Sequence, residues 1–105
     1  MEIRKGPFVH VVVVTLEPEA TAALVEDVRK IMETVSVKLP GFVESVLLVS
    51  DDQTRISVVS IWSDRHSWAQ AQWQDRMQDA MVELFKAADN VESQSYNEVA
   101  RYVMS

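Results

Sequence analysis

Cysteine is absent from the 105-residue chain. That absence excludes a disulfide framework, thiolate metal sites, iron–sulfur clusters and a cysteine nucleophile, and it suits a reducing cytoplasm. Glycine is almost as scarce, with Gly6 and Gly41 alone. Two isolated glycines build neither a phosphate-cradling loop nor the Gly-x-Ser-x-Gly elbow of a serine hydrolase. No spacing of His, Asp and Glu resembles a zinc or carboxylate-bridged metal site. Long apolar runs are also missing. The best of them, Phe8 to Leu16, is interrupted by His10 and Thr15 and falls far short of the ~20 residues that cross a bilayer. The charged opening Met1-Glu2-Ile3-Arg4-Lys5-Gly6-Pro7 lacks the pattern of a secretory signal and reads as an ordinary terminus. Ten basic residues, scattered and never more than two together, stand against sixteen acidic ones, for a net charge of −6. Phosphate backbones would be repelled, so neither nucleic acid nor membrane is an expected partner.

Apolar residues make up 48% of the chain and charged residues 25%, a composition that folds around one core. Residues 8–16 are rich in β-branched side chains and stop at Glu17-Pro18, which predicts a first strand. Pro18 suits the first turn of a helix, where its missing N–H has no partner to lose, and Glu17 and Glu19 suit the positive end of the dipole. Leu24, Val28, Ile31, Val35 and Leu39 then recur at helical spacing up to Pro40-Gly41. Phe42 to Val49 predicts a second strand, Ser50-Asp51-Asp52-Gln53 a turn, and Arg55 to Ser63 a third strand paired antiparallel to the second. Ser63-Asp64 offers an N-cap. Trp73, Met77, Ala80 or Met81, and Leu84 repeat at helical spacing through a second helix from Arg65 to about Ala88, in one or two pieces. Asp89-Asn90 ends it, and Gln94 to Val103 predicts a polar edge strand.

The resulting order, β-α-β-β-α-β, implies an α+β domain with ferredoxin-like packing and a four-stranded antiparallel sheet. Such a unit carries both helices on one face. The first strand, however, is apolar on both: Phe8, Val12, Val14 and Leu16 point one way, Val9, Val11 and Val13 the other. The second strand repeats this, with Val43, Leu47 and Val49 opposing Phe42, Val46 and Leu48. A second copy of the chain is the simplest cover for the bare face.

The Val-rich first strand, the Glu17-Pro18-Glu19 helix start, the Leu39-Pro40-Gly41-Phe42 junction, the Asp51-Asp52 turn, and Ile61-Trp62-Ser63-Asp64-Arg65 with Trp68 beyond it together resemble the antibiotic biosynthesis monooxygenase family over roughly residues 8–103. The resemblance implies a homodimeric α+β barrel, with a small-molecule pocket between the sheet and helices of each subunit. Members that oxidise polyphenols without metal or flavin place an amide four residues before the strand-three tryptophan and a tyrosine six after it. Val58 and Trp68 stand at those positions here. Members that degrade haem use a histidine where this chain has Gln72, so no iron ligand is implied. The resemblance thus places Trp62, Val58, Trp68 and Gln72 at the substrate, with no cofactor.

His10 stands alone in an apolar strand. It reads either as a proton acceptor for a phenolic substrate or as a buried neutral imidazole. Trp62, Trp68 and Trp73 offer flat faces for an aromatic ligand, or core packing. His66, at a helix start, reads as exposed; Tyr96, Asn97 and Tyr102 fall on the last strand with structural use as the default. The expectation is a small cofactor-independent monooxygenase acting on a flat hydroxylated aromatic, with His10 as base and Trp62 as stacking wall. The alternative is a dimer that binds a small metabolite, or isomerises one, in the same pocket.

Overall fold

The computed structural model describes residues 7–104, so the expectation for the first six residues lies outside it. The elements run β1 (Phe8–Thr15), α1 (Pro18–Thr34), a 3-10 turn (Ser36–Lys38), β2 (Phe42–Val49), β3 (Arg55–Trp62), α2 (Arg65–Gln72), α3 (Asp75–Ala87) and β4 (Asn90–Asn97). The strands form one antiparallel sheet in the order β2-β3-β1-β4. This is the ferredoxin-like arrangement the sequence implies. The core between sheet and helices is built from Val12, Val14 and Leu16, Leu24 and Val28 of α1, Ile56 of β3 and Leu84 of α3. A smaller cluster of Phe8, Trp62 and Ala71 closes one end.

Four expectations need correction. The first helix ends as an α-helix at Thr34 rather than at Leu39; the chain tightens into the 3-10 turn before the Leu39-Pro40 corner. The second helix takes the two-piece form, one of the two the sequence allows, and what needs correction is the place of Trp73 in its stripe. Ala71 and Met77 are both buried, yet six residues at about 100° each would put them on different faces of one continuous helix, and the break at Trp73-Gln74 brings both inward. Trp73 consequently faces solvent, 73% exposed, and is not part of the apolar stripe. The last strand is Asn90–Asn97, not Gln94–Val103: its partners are fixed by β1, from Thr15↔Asn90 to Phe8↔Asn97, and β1 offers none further.

The fourth correction concerns facing. Phe42 pairs with Trp62 but Glu44 pairs with Ile61, so Val43 is a bulge with no partner. Phe42 therefore shares the inner face with Leu47 and Val49, while Val46 and Leu48 lie on the outer face. Just before the bulge, Gly41 takes φ +81°. A side chain there would collide with Ser67 at the start of α2. The Gly41 carbonyl accepts bonds from the Ser63 N–H at 2.8 Å and the Ser63 hydroxyl at 3.1 Å, which fixes the end of β3 against the start of β2.

At the other end, the Asp52 carboxylate accepts bonds from the Thr54 hydroxyl at 2.7 Å, the Ser50 hydroxyl at 2.8 Å and the Thr54 N–H at 3.1 Å. Those bonds, Thr54's first, hold its pKa at about 2. Thr21 of α1 is buried and donates to the Gln53 carbonyl at 2.5 Å, tying the helix to this turn. The outer face carries Val9, Val11, Val13, Val46, Leu48, Val59 and Ile61, and no helix among the described residues covers it.

Candidate functional site

The inner face of the sheet is ordered in rows across the strands. Phe42, Trp62 and Phe8 make an aromatic row; Leu47, Val58 and Val12 make an aliphatic one. Between them runs a polar row, Ser45 of β2, Ser60 of β3, His10 of β1 and Ser95 of β4, each paired in register with the next. Four polar side chains in line on an apolar floor require either partners or water.

Above this floor lies a cavity of about 100 Å³, roofed by Ile31 and Met32 of α1, Gln72 of α2, and Met77 and Met81 of α3. His10, Trp62, Val58 and Gln72 all border it. A second, larger cleft of about 460 Å³ adjoins it between β4 and the helices. His10, Val12, Gln72 and Met81 are common to both, and Trp68 borders the outer one. The residues singled out from the sequence therefore converge, with His10 at the junction.

The His10 ring makes no side-chain hydrogen bond among the described residues; it lies against Trp68, ring centroids 4.8 Å apart and planes tilted by 43°. Burial lowers its pKa below the ordinary 6.5, because the charged form is poorly solvated there. The imidazole is accordingly neutral at pH 7 and able to accept a proton. Trp68 is positioned by α2, whose N-cap Asp64 accepts the Ser67 N–H at 2.7 Å. It also packs on Phe8, at 5.1 Å between centroids, and the Arg65 guanidinium lies 5.2 Å from the center of the Phe8 ring. Trp62 is 2% exposed and meets Phe42 edge-on at 5.5 Å. The indole N–H groups of Trp62 and Trp68 are both buried without an acceptor among the described residues, leaving two donors whose desolvation is uncompensated.

Other candidates lie elsewhere. His66 is exposed. Tyr96 pairs with Val9 and so sits on the outer face, and Tyr102, beyond the strand, is 93% exposed. Ser45, Ser60 and Met32 do not stand out in the sequence, and Met77 and Met81 show there only as part of the apolar stripe of the second helix. The serines show there only as small polar residues within two largely apolar strands, which Glu44 and Ser57 interrupt as well.

The model of one family, antibiotic biosynthesis monooxygenase, matches residues 7–83. The chain belongs to this family. Solved structures agree on the fold. The ActVA-Orf6 monooxygenase of Streptomyces coelicolor, solved with nanaomycin D, superposes with a TM-score of 0.83 at 18% identity, covering 95% of this chain and 94% of its own. SnoaB, a cofactor-independent oxygenase of Streptomyces nogalater, gives 0.80 at 18% identity over 93% and 96%. A Nitrosomonas europaea protein assigned to the antibiotic biosynthesis monooxygenases gives 0.85 at 18% identity over 94% and 96%. No curated protein matches the sequence. Among the described residues of this family member, no cluster of His, Asp and Glu could hold a metal ion, and no helix is long and apolar enough to cross a membrane.

Proposed function

We propose that the protein is a cofactor-independent monooxygenase that oxidises a flat hydroxylated aromatic with dioxygen. The single observation that carries this reading is that His10 and Trp62 border one cavity. Family membership supports it, as do the similar cofactor-independent oxygenase and the similar monooxygenase that holds nanaomycin D.

Neutral His10 takes a proton from the substrate as general base. The resulting anion gives one electron to dioxygen, and superoxide and the substrate radical combine to form a carbon–oxygen bond. The peroxide accepts the proton back from His10, and its O–O bond breaks with loss of a substrate C–H proton. One oxygen stays on carbon as a carbonyl and the other leaves as water. Both electron pairs come from the substrate. The protein's part is proton removal, a largely dry cavity, and N–H dipoles such as that of Trp62 near the anion.

The proposal includes a homodimer formed through the outer sheet face, where Val46 and Leu48 are 45% and 50% exposed. A second reading, a dimer that binds or isomerises a metabolite without oxygen, is favoured by Val58 and Trp68 standing where polyphenol-oxidising members carry an amide and a tyrosine. Thermal shift with quinols and anthrones followed by an oxygen electrode separates the two. Stabilisation with oxygen uptake supports the oxygenase; stabilisation with none supports the binder.

A further inference from the structure

We infer that the serine row reads a second oxygen function on the ligand, so that the cavity selects aromatics carrying at least two oxygen groups over those carrying one. The inference rests on the proposed site but not on its oxidation chemistry.

Ser45 and Ser60 border the inner cavity together with His10. Both are half-buried. Ser60's hydroxyl has a single, long contact, donating to the His10 carbonyl at 3.4 Å. Ser45's hydroxyl has no partner among the described residues. A hydroxyl on an apolar floor costs stability unless bonded, and the floor is otherwise aromatic or aliphatic. Neighbouring strands lie ~4.8 Å apart, so the row from His10 through Ser60 to Ser45 spans roughly 10 Å. One phenolic oxygen at His10 leaves the serines unmet. A second oxygen, on the same edge of a fused-ring system lying along the row, meets Ser60 or Ser45. Because a serine hydroxyl both donates and accepts, that oxygen can be a phenol or a carbonyl.

The test compares the Kd of 2-naphthol with that of 2,7-dihydroxynaphthalene, whose two hydroxyls lie on one edge, by calorimetry under anaerobic conditions. The wild-type protein binds the dihydroxy probe more tightly. Ser60→Ala and Ser45→Ala together remove that preference, with the loss for a neutral hydrogen bond about three- to tenfold, and leave the 2-naphthol Kd unchanged. Ser57→Ala, on the outer face, alters neither. Equal affinity of wild type for the two probes, no binding of the dihydroxy probe, or equal weakening of both by the serine variants would overturn the inference. Oxygen uptake without this preference would leave the oxygenase reading intact and reject the inference. The preference without oxygen uptake would do the reverse.

Discussion

The imidazole of His10 rests against the indole of Trp68, ring centroids 4.8 Å apart at a 43° tilt. The contact joins the middle of β1 to the first helix after β3. It helps exclude water from a group whose pKa burial has lowered.

Removing the indole should therefore raise the His10 pKa toward 6.5, because water re-enters and solvates the imidazolium. Trp68→Ala is expected to show this in an NMR titration of the ring protons, whereas Trp68→Phe retains most of the shift. Trp68 is only half-buried, so the stability cost of the alanine variant is about 2 kcal/mol, below the range for a fully buried aromatic.

His10 also gives the fold a pH dependence. Its pKa is lower in the native state than in the unfolded chain, so the unfolded chain binds the extra proton first. Stability from this group is full above pH ~6.5 and declines as pH falls toward the native pKa. Urea midpoints at pH 7.5 and 5.5 should differ less in His10→Gln than in the wild-type protein. Turnover should follow the same group, holding steady above neutrality and falling in acid as the base is protonated.

Gly41→Ala should be costly. The backbone there has φ +81°, and the new methyl group would lie on the Ser67 side chain. Left-handed backbone and overpacking together predict a loss of about 2–4 kcal/mol, read as a drop in denaturation midpoint at unchanged m-value.

Leu48→Asp tests the outer face. Leu48 is half exposed in the single chain, so the carboxylate is tolerated in a monomer and disfavoured in an apolar interface. Sedimentation equilibrium should give a mass near twice 11.9 kDa for the wild-type protein and a shift toward the monomer for the variant. A wild-type monomer would reject the homodimer.

Much of this fold is legible in the sequence because its strands are long β-branched runs and its corners are marked by Pro18, Pro40-Gly41 and Asp51-Asp52. The bulge at Val43 is not, since one unpaired residue leaves no compositional trace while reversing the face of Phe42 relative to Val46. Nor is the start of β4: Asn90, Glu92 and Ser93 lack strand character, and pairing with β1 imposes it. The helix break at Trp73 lacks the usual Gly or Pro and follows from the need to bury both Ala71 and Met77. For the site, single residues could be nominated, and His10, Trp62, Val58 and Gln72 do border one cavity. The serine row could not, because Ser45, Ser60 and His10 are brought together only by strand order and register.

The most direct test is oxygen consumption with an anthrone or quinol, comparing wild-type protein with His10→Ala. General base catalysis contributes about 10²-fold or more. The account predicts oxygen-dependent turnover by the wild-type protein, one dioxygen per substrate, and a fall of about that size in the variant with ligand binding retained. Equal rates in the two proteins would contradict it.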